Sequence, residues 1–153
     1  VATVVSKLLI QCGPDVAVFG EKDYQQLQVI KRVVADLNIP TQIVGAPTAR
    51  LEDGLARSSR NAYLSGAERE VAGRMNLALA DAVQRLKAGE SVERVEATGL
   101  AALERAGFQR IDYFEVRNAD DLSHPGTGPL TVPARVLAAA IIGKTRLIDN
   151  MPV

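Results

Sequence analysis

Residues 16–47 constrain this chain more than any other stretch. An apolar run, a helix-patterned segment and a second apolar run follow one another there. Val16, Ala17, Val18 and Phe19 read as a short buried strand of the parallel kind. Asp23 and Gln26 have the Asp-x-x-Gln spacing of a capping box. Leu27, Ile30, Val33, Val34 and Leu37 then recur at helical spacing, and Asn38 and Pro40 stop the helix. Residues 41–47 make the next strand. Two parallel strands joined through a helix form a βαβ unit with a right-handed crossover. Two strands are too few for a free-standing sheet, so further strands are expected N-terminal to this unit.

The first helix points the same way. Val1, Val4, Val5, Leu8 and Leu9 are in helical phase from the first residue, with no N-cap or polar lead-in. The expectation is a chain that continues something longer. Cys12 falls where this helix ends and reads as a buried or half-buried structural thiol. As the only cysteine it excludes an internal disulfide.

Residues 48–66 are polar, irregular and too long for an ordinary connection, which marks a functional loop or a domain boundary. Ser65 and Glu68 have capping-box spacing and open a helix to about Lys87, with Val71, Met75, Leu79, Val83 and Leu86 on one face. Gly89 ends it. Ser91 caps a second helix carrying Val92, Val95, Leu103 and Ala106, closed by Gly107. Residues 110–118, 134–143 and 145–150 read as strands, the second central and the last two joined by a Gly143-Lys144 hairpin turn. The expected class is therefore an α/β portion (1–62) followed by a small α+β domain (63–153) with two helices and a roughly three-stranded antiparallel sheet.

Lys+Arg and Asp+Glu both number 18, so net charge gives no argument for nucleic acid or an anionic membrane as partner. The lone His124 has no clustered Cys or His, which argues against zinc. No apolar run reaches the length of a membrane span. A cytoplasmic location is the default.

Chemistry concentrates in two stretches. Residues 20–23 (Gly20, Glu21, Lys22, Asp23) sit at the mouth of the strand-to-helix turn, where open parallel sheets bind ligands. Gly20 admits a ligand close to the backbone, Lys22 suits phosphate and Asp23 suits ribose hydroxyls. A solvated connection whose aspartate only caps the helix fits the same residues. Gln25 and Gln26 are equally open. On the long loop, Ser58, Ser59 and Arg60 offer two hydroxyls and a guanidinium, a set that suits polyphosphate and also an ordinary serine-rich loop.

The stretches FGEKDYQQLQVIKRVVADLNIP, IVGAPTAR, EDGLARSSRNAYLS and TRLIDN closely resemble the pantothenate synthetase (pantoate–β-alanine ligase) family. The likeness runs from the first helix to the last strand. It implies that residues 1–62 are the C-terminal portion of a Rossmann-like nucleotide-binding domain and residues 63–153 a lid domain. It also implies an enzyme that activates pantoate with ATP and Mg²⁺ to pantoyl adenylate, which β-alanine converts to pantothenate and AMP. The matching positions imply an ATP site of Gly20, Glu21, Lys22, Asp23, Ala49, Arg57, Ser58, Ser59 and Arg60, with Lys22, Ser58, Ser59 and Arg60 catalytic and Gln26 on pantoate. Ala49 would act through its backbone. Arg57 stands where the family usually has Met or Leu, so no catalytic role is put on its side chain. Family members form homodimers and carry an N-terminal histidine motif and a first pantoate-binding glutamine, neither of which is among these residues. The resemblance therefore implies a chain that is inactive alone. A different nucleotidyl-transferring enzyme and a non-catalytic lid or association module are the competing readings.

Overall fold

A computed structural model describes residues 1–153. By its contacts the chain divides into two compact units, Val1–Thr48 and Ala49–Val153.

The first unit opens with α1 (Ala2–Cys12), which starts without a side-chain cap. Gly13 closes it in the left-handed region (φ 56°), its N–H donating to the Leu9 carbonyl at 2.9 Å. Cys12 is exposed, contrary to the expected structural thiol, because α1 buries only Ser6 and Leu9. β1 (Val16–Gly20) and β2 (Gln42–Ala46) pair in parallel from Val16 opposite Gln42 to Gly20 opposite Ala46. A 3₁₀ turn (Glu21–Asp23) leads into α2 (Tyr24–Asp36). The βαβ reading holds, with three differences.

First, Asp23 occupies the N-cap position of α2 but makes no side-chain cap bond, so the expected capping box is absent. The 3₁₀ turn has already bent the backbone that such a box would close. Second, the buried face of α2 is Tyr24, Leu27 and Ile30; Leu37 is 58% exposed, past the helix end, and Ile39 is buried in its place. The switch occurs at Asn38, whose φ of 51° reverses the direction of the chain. β1 is not the buried strand expected of its sequence, since Val16 and Val18 on one face are exposed.

The second unit holds α3 (Gly66–Lys87), α4 (Val92–Ala106), β3 (Arg110–Asn118), β4 (Ala134–Ile142) and β5 (Thr145–Pro152). The strands form an antiparallel sheet in the order β3-β4-β5, with β4 central as its apolar sequence requires. Both bonds of the Ser65–Glu68 capping box are present. Ser91 stands at the N-cap of α4 without a side-chain bond. Instead the carbonyls of Gly128 and Thr127 accept the Val92 and Glu93 N–H groups at 3.0 and 3.2 Å, so a distant loop satisfies the helix start. Gly143 (φ 56°) turns the β4–β5 hairpin.

The helices bury Ala72, Met75, Leu79, Val95 and Leu103 against Phe114, Val116, Val136, Ala138 and Ala140 of the sheet. Alanines on β4 and Gly99 on α4 allow close approach: a Cβ at Gly99 would occupy the space of the Phe114 ring. Residues 49–62, assigned from sequence to the first domain, pack with this second unit. Leu55 and Ala56 are buried in or beside its core, and Arg50 pairs with Asp149 of β5.

Candidate active site

The sequence candidates fall into two groups, one in each compact unit. In the first unit, Gly20 ends β1 at its carboxyl end, residues 21–23 make the 3₁₀ turn and Gln26 lies in the first turn of α2. One strand end and one helix start therefore carry Gly20, Glu21, Lys22, Asp23 and Gln26 together. Gly20 is exposed, with nothing within 4 Å of where a Cβ would stand. Asp23 and Gln26 are exposed too, and Lys22 is half-buried. Asp23 makes no side-chain cap bond to α2, and the 3₁₀ turn leads directly into the helix. Glu21 faces elsewhere. Its carboxylate lies over β2, where a Cβ on Gly45 would come within 3.0 Å of Oε1.

In the second unit, an isolated antiparallel bridge between Arg50 and Ala56 closes the base of the long loop. The Arg57 N–H donates to the Ala49 carbonyl at 2.8 Å, which places these two candidates side by side. Ser58 caps a second 3₁₀ turn (Ser59–Tyr63), its hydroxyl accepting from the Arg60 N–H at 3.2 Å. Ser59 and Arg60 are exposed and Ser58 is half-buried. A shallow depression is lined by Leu51, Arg57, Ser58, Ser59 and Asn61. Asn61 donates its amide to the Ala56 carbonyl at 3.0 Å, tying the turn to the loop base.

What holds this loop was not visible in the sequence. Arg50 donates to both Asp149 oxygens, at 2.7 and 3.0 Å, and to the carbonyls of Gly54 (2.9 Å) and Asn150 (3.2 Å). Asp149 is almost fully buried, so the bidentate pair works at low dielectric, where geometry of this quality matters most. Behind it, Arg135 donates to the Asn150 side chain at 2.5 Å, and both residues are buried. On the outer side, Asp53 pairs with Arg69 of α3 and accepts from the Leu55 N–H at 3.1 Å. The Arg69 hydrogen bond is the main reason the Asp53 carboxyl sits below the usual carboxylate range. Only an arginine shortly after the Pro47 strand end hinted at this network.

His124 lies in the loop between β3 and β4. Its Nδ1 accepts from the Gly126 N–H at 3.1 Å and Nε2 lies 3.7 Å from Glu96. No group of three or more His, Cys, Asp or Glu side chains is gathered to hold a metal. No helix is long and apolar enough to cross a membrane.

Residues 1–152 match the family model described as pantoate-beta-alanine ligase. A pantothenate synthetase of Caulobacter vibrioides is 57% identical over the whole chain, which spans 54% of that protein. One from Nitrobacter winogradskyi is 53% identical, with 53% of its length spanned. The chain thus covers about half the length of the curated relatives it matches. The crystal structure of pantothenate synthetase from Thermus thermophilus superposes with a TM-score of 0.91 at 41% identity, over 98% of this chain and 54% of that one. The Francisella tularensis ligase, solved with beta-gamma ATP and beta-alanine, gives a TM-score of 0.68 at 31% identity, over 99% of this chain and 48% of that one.

Proposed function

The chain belongs to the pantoate-beta-alanine ligase family, and from that premise we propose that it supplies part of the catalytic site of an ATP-dependent, AMP-forming ligase joining pantoate to β-alanine. The observation that carries this is the family match across residues 1–152, with the two motif-bearing turns inside it. In the proposed reaction the pantoate carboxylate attacks the α-phosphate of ATP, forming pantoyl adenylate and releasing diphosphate. The β-alanine amine then attacks the acyl carbon, displacing AMP and leaving pantothenate.

Adenylyl transfer needs in-line placement and neutralised oxygens more than proton transfer. Lys22, Ser58, Ser59 and Arg60 suit that task as donors to polyphosphate. The carboxyl end of β1 with the uncapped start of α2 suits the nucleotide, with Gly20, Lys22 and Asp23 at hand. Gln26, exposed on the first turn of α2, suits pantoate. Ala49 and Arg57 would contribute backbone groups. Glu21, whose carboxylate lies beside Gly45 of β2, would complete the nucleotide segment. The chain gathers no acidic cluster, so its donor set does not fit a resident Mg²⁺. Mg²⁺ would arrive with ATP and supply charge neutralisation there, with none of these side chains as its resident ligands.

We further propose that the first unit is a Rossmann-like nucleotide-binding portion and the second the lid, in a cytoplasmic homodimer. AMP release from ATP, pantoate and β-alanine tests the reading. Turnover is expected when the chain is joined to the remaining portion of the Caulobacter relative, and none from the chain alone. Failure of the joined protein with pantoate, but success with another carboxylic acid, would favour a different adenylating enzyme. Full activity of the remaining portion by itself would make this chain a non-catalytic lid or association module.

A further inference from the structure

Between the Ser59–Tyr63 turn and the β4–β5 hairpin lies a cleft of about 600 Å³ lined by Arg60, Tyr63, Lys144, Thr145 and Arg146. We propose that this cleft is a docking site for a diphosphate group, in which Lys144 and Arg146 of the hairpin act together with Arg60. The inference deepens the nucleotide reading above and rests on it only for the source of the diphosphate, which would be the phosphate end of ATP or the leaving group.

The lining contains three cations, two hydroxyl-bearing side chains and no carboxylate. That set matches an anion with several oxygens, which forked guanidinium donors and a mobile ammonium bind together. Two acids flank the hairpin, Glu68 beside Gly143 and Asp112 beside Arg146, and two carboxylates do not cancel the three cations. Asp112 of β3 is shared by two guanidiniums, accepting from Arg146 Nε at 2.6 Å and from Arg110 at 2.8 Å. One carboxylate between two arginines orients Arg146 at the cleft wall and leaves a surplus of positive charge.

The hairpin is also held in place. Gly143 takes φ 56°, and a Cβ there would collide with the carboxylate of Glu68. Glu68 is engaged in turn by the Ser65 N–H at 2.8 Å. The turn carrying Lys144 is thus seated against the start of α3, and Thr145 beside it is buried. Only the long cationic side chains need to order when a ligand arrives. The space has room for two linked phosphates and whatever they are attached to, and the grouping of three cations with no carboxylate in the lining is what selects a multiply charged anion.

The 153-residue chain can be titrated with inorganic diphosphate while backbone amide resonances are followed. Shifts are expected at residues 60–63 and 143–146. Lys144→Gln and Arg146→Gln should each weaken binding about tenfold, as loss of a charged hydrogen bond does. Arg146 bonds Asp112, so Lys144→Gln, at an exposed turn position, is the variant that leaves the fold intact. ATP should shift the same amides and adenosine should not. If diphosphate moves none of them, or binds Lys144→Gln as tightly as the parent chain, the site is wrong, whatever the ligase assay gives. If diphosphate binds here but the joined enzyme makes no pantothenate with any ATP concentration, the docking site stands and the assigned reaction falls.

Discussion

The two compact units solve the problem of burying apolar surface unequally. In Ala49–Val153, two helices and a three-stranded sheet enclose a continuous core that reaches Leu55 on the loop and Leu147 on the last strand. In Val1–Thr48, the buried apolar set is Leu9, Tyr24, Leu27, Ile30 and Ile39, while Val4, Leu8, Ile10, Val16 and Val18 remain exposed. Burial contributes roughly 25 cal/mol per Å² of apolar surface, so the larger enclosed core carries most of the stabilisation. The comparison also separates two ways of holding a candidate site segment. The 20–23 turn rests on one strand end and one helix start, whereas the 49–63 loop is clamped by ion pairs to α3 and β5.

The strongest test of the contrast is Asp149→Ala. Removing the buried partner leaves the partly exposed Arg50 guanidinium with only the Gly54 and Asn150 carbonyls and should cost about 3 kcal/mol, the low end for a broken buried pair. Hydrogen exchange should report the loss in β4, β5 and the loop while β1 and β2 keep their protection. Equal loss in both units would erase the distinction drawn here. Next, Lys22→Ala in the joined enzyme should cost about 3 kcal/mol of transition-state stabilisation, the size of one lost oxyanion-type contact. Unchanged rates of pantoyl adenylate formation would remove Lys22 from the chemistry.

Gly99→Ala tests how tightly the second core is packed. The new methyl must displace the Phe114 ring, at about 1–3 kcal/mol in a denaturant titration. A neutral result would mean that the α4–β3 contact has slack. Helix caps give a finer comparison. Ser65→Ala removes a formed box and should cost about 1 kcal/mol, whereas Asp23→Ala removes no cap bond and should leave the stability of α2 unaltered.

The smallest effect is a pH dependence. Asp53 is held below its ordinary value, first by the Arg69 hydrogen bond, so its contribution is complete above the unfolded carboxylate range. It is lost as pH falls through the depressed value. Loop amides near Leu55 should therefore exchange faster in strong acid, and Asp53→Asn should abolish that acid-dependent step. A step that persists in Asp53→Asn would assign the titration to another group.

Most elements were legible because their signals are local. β-Branched and aromatic residues marked 110–118, and the Ser65–Glu68 spacing marked the start of α3. Local signals also misled. Asp23 and Gln26 have the letters of a capping box, but the 3₁₀ turn before them changes the backbone geometry that the box requires. Val16 and Val18 read as buried because valine-rich strands usually are, and burial depends on neighbours the sequence of a strand does not name. For the candidate site, Lys22, Ser58 and Arg60 could be singled out by residue type. The support of Arg50 by Asp149 was not, because the two are 99 positions apart.

That separation sets an order of events during folding. Arg50 stands near the start of its unit and Asp149 near the end, so their pair closes a loop spanning almost the entire unit. Contacts this distant in sequence are entropically expensive and form late. On the ribosome, Asp149 is synthesised after every other strand residue that β5 pairs with on β4. The segment carrying Ser58–Arg60 therefore gains its second anchor only once the last strand has docked, and a chain stalled before β5 would hold that segment through the Asp53–Arg69 pair to α3 alone.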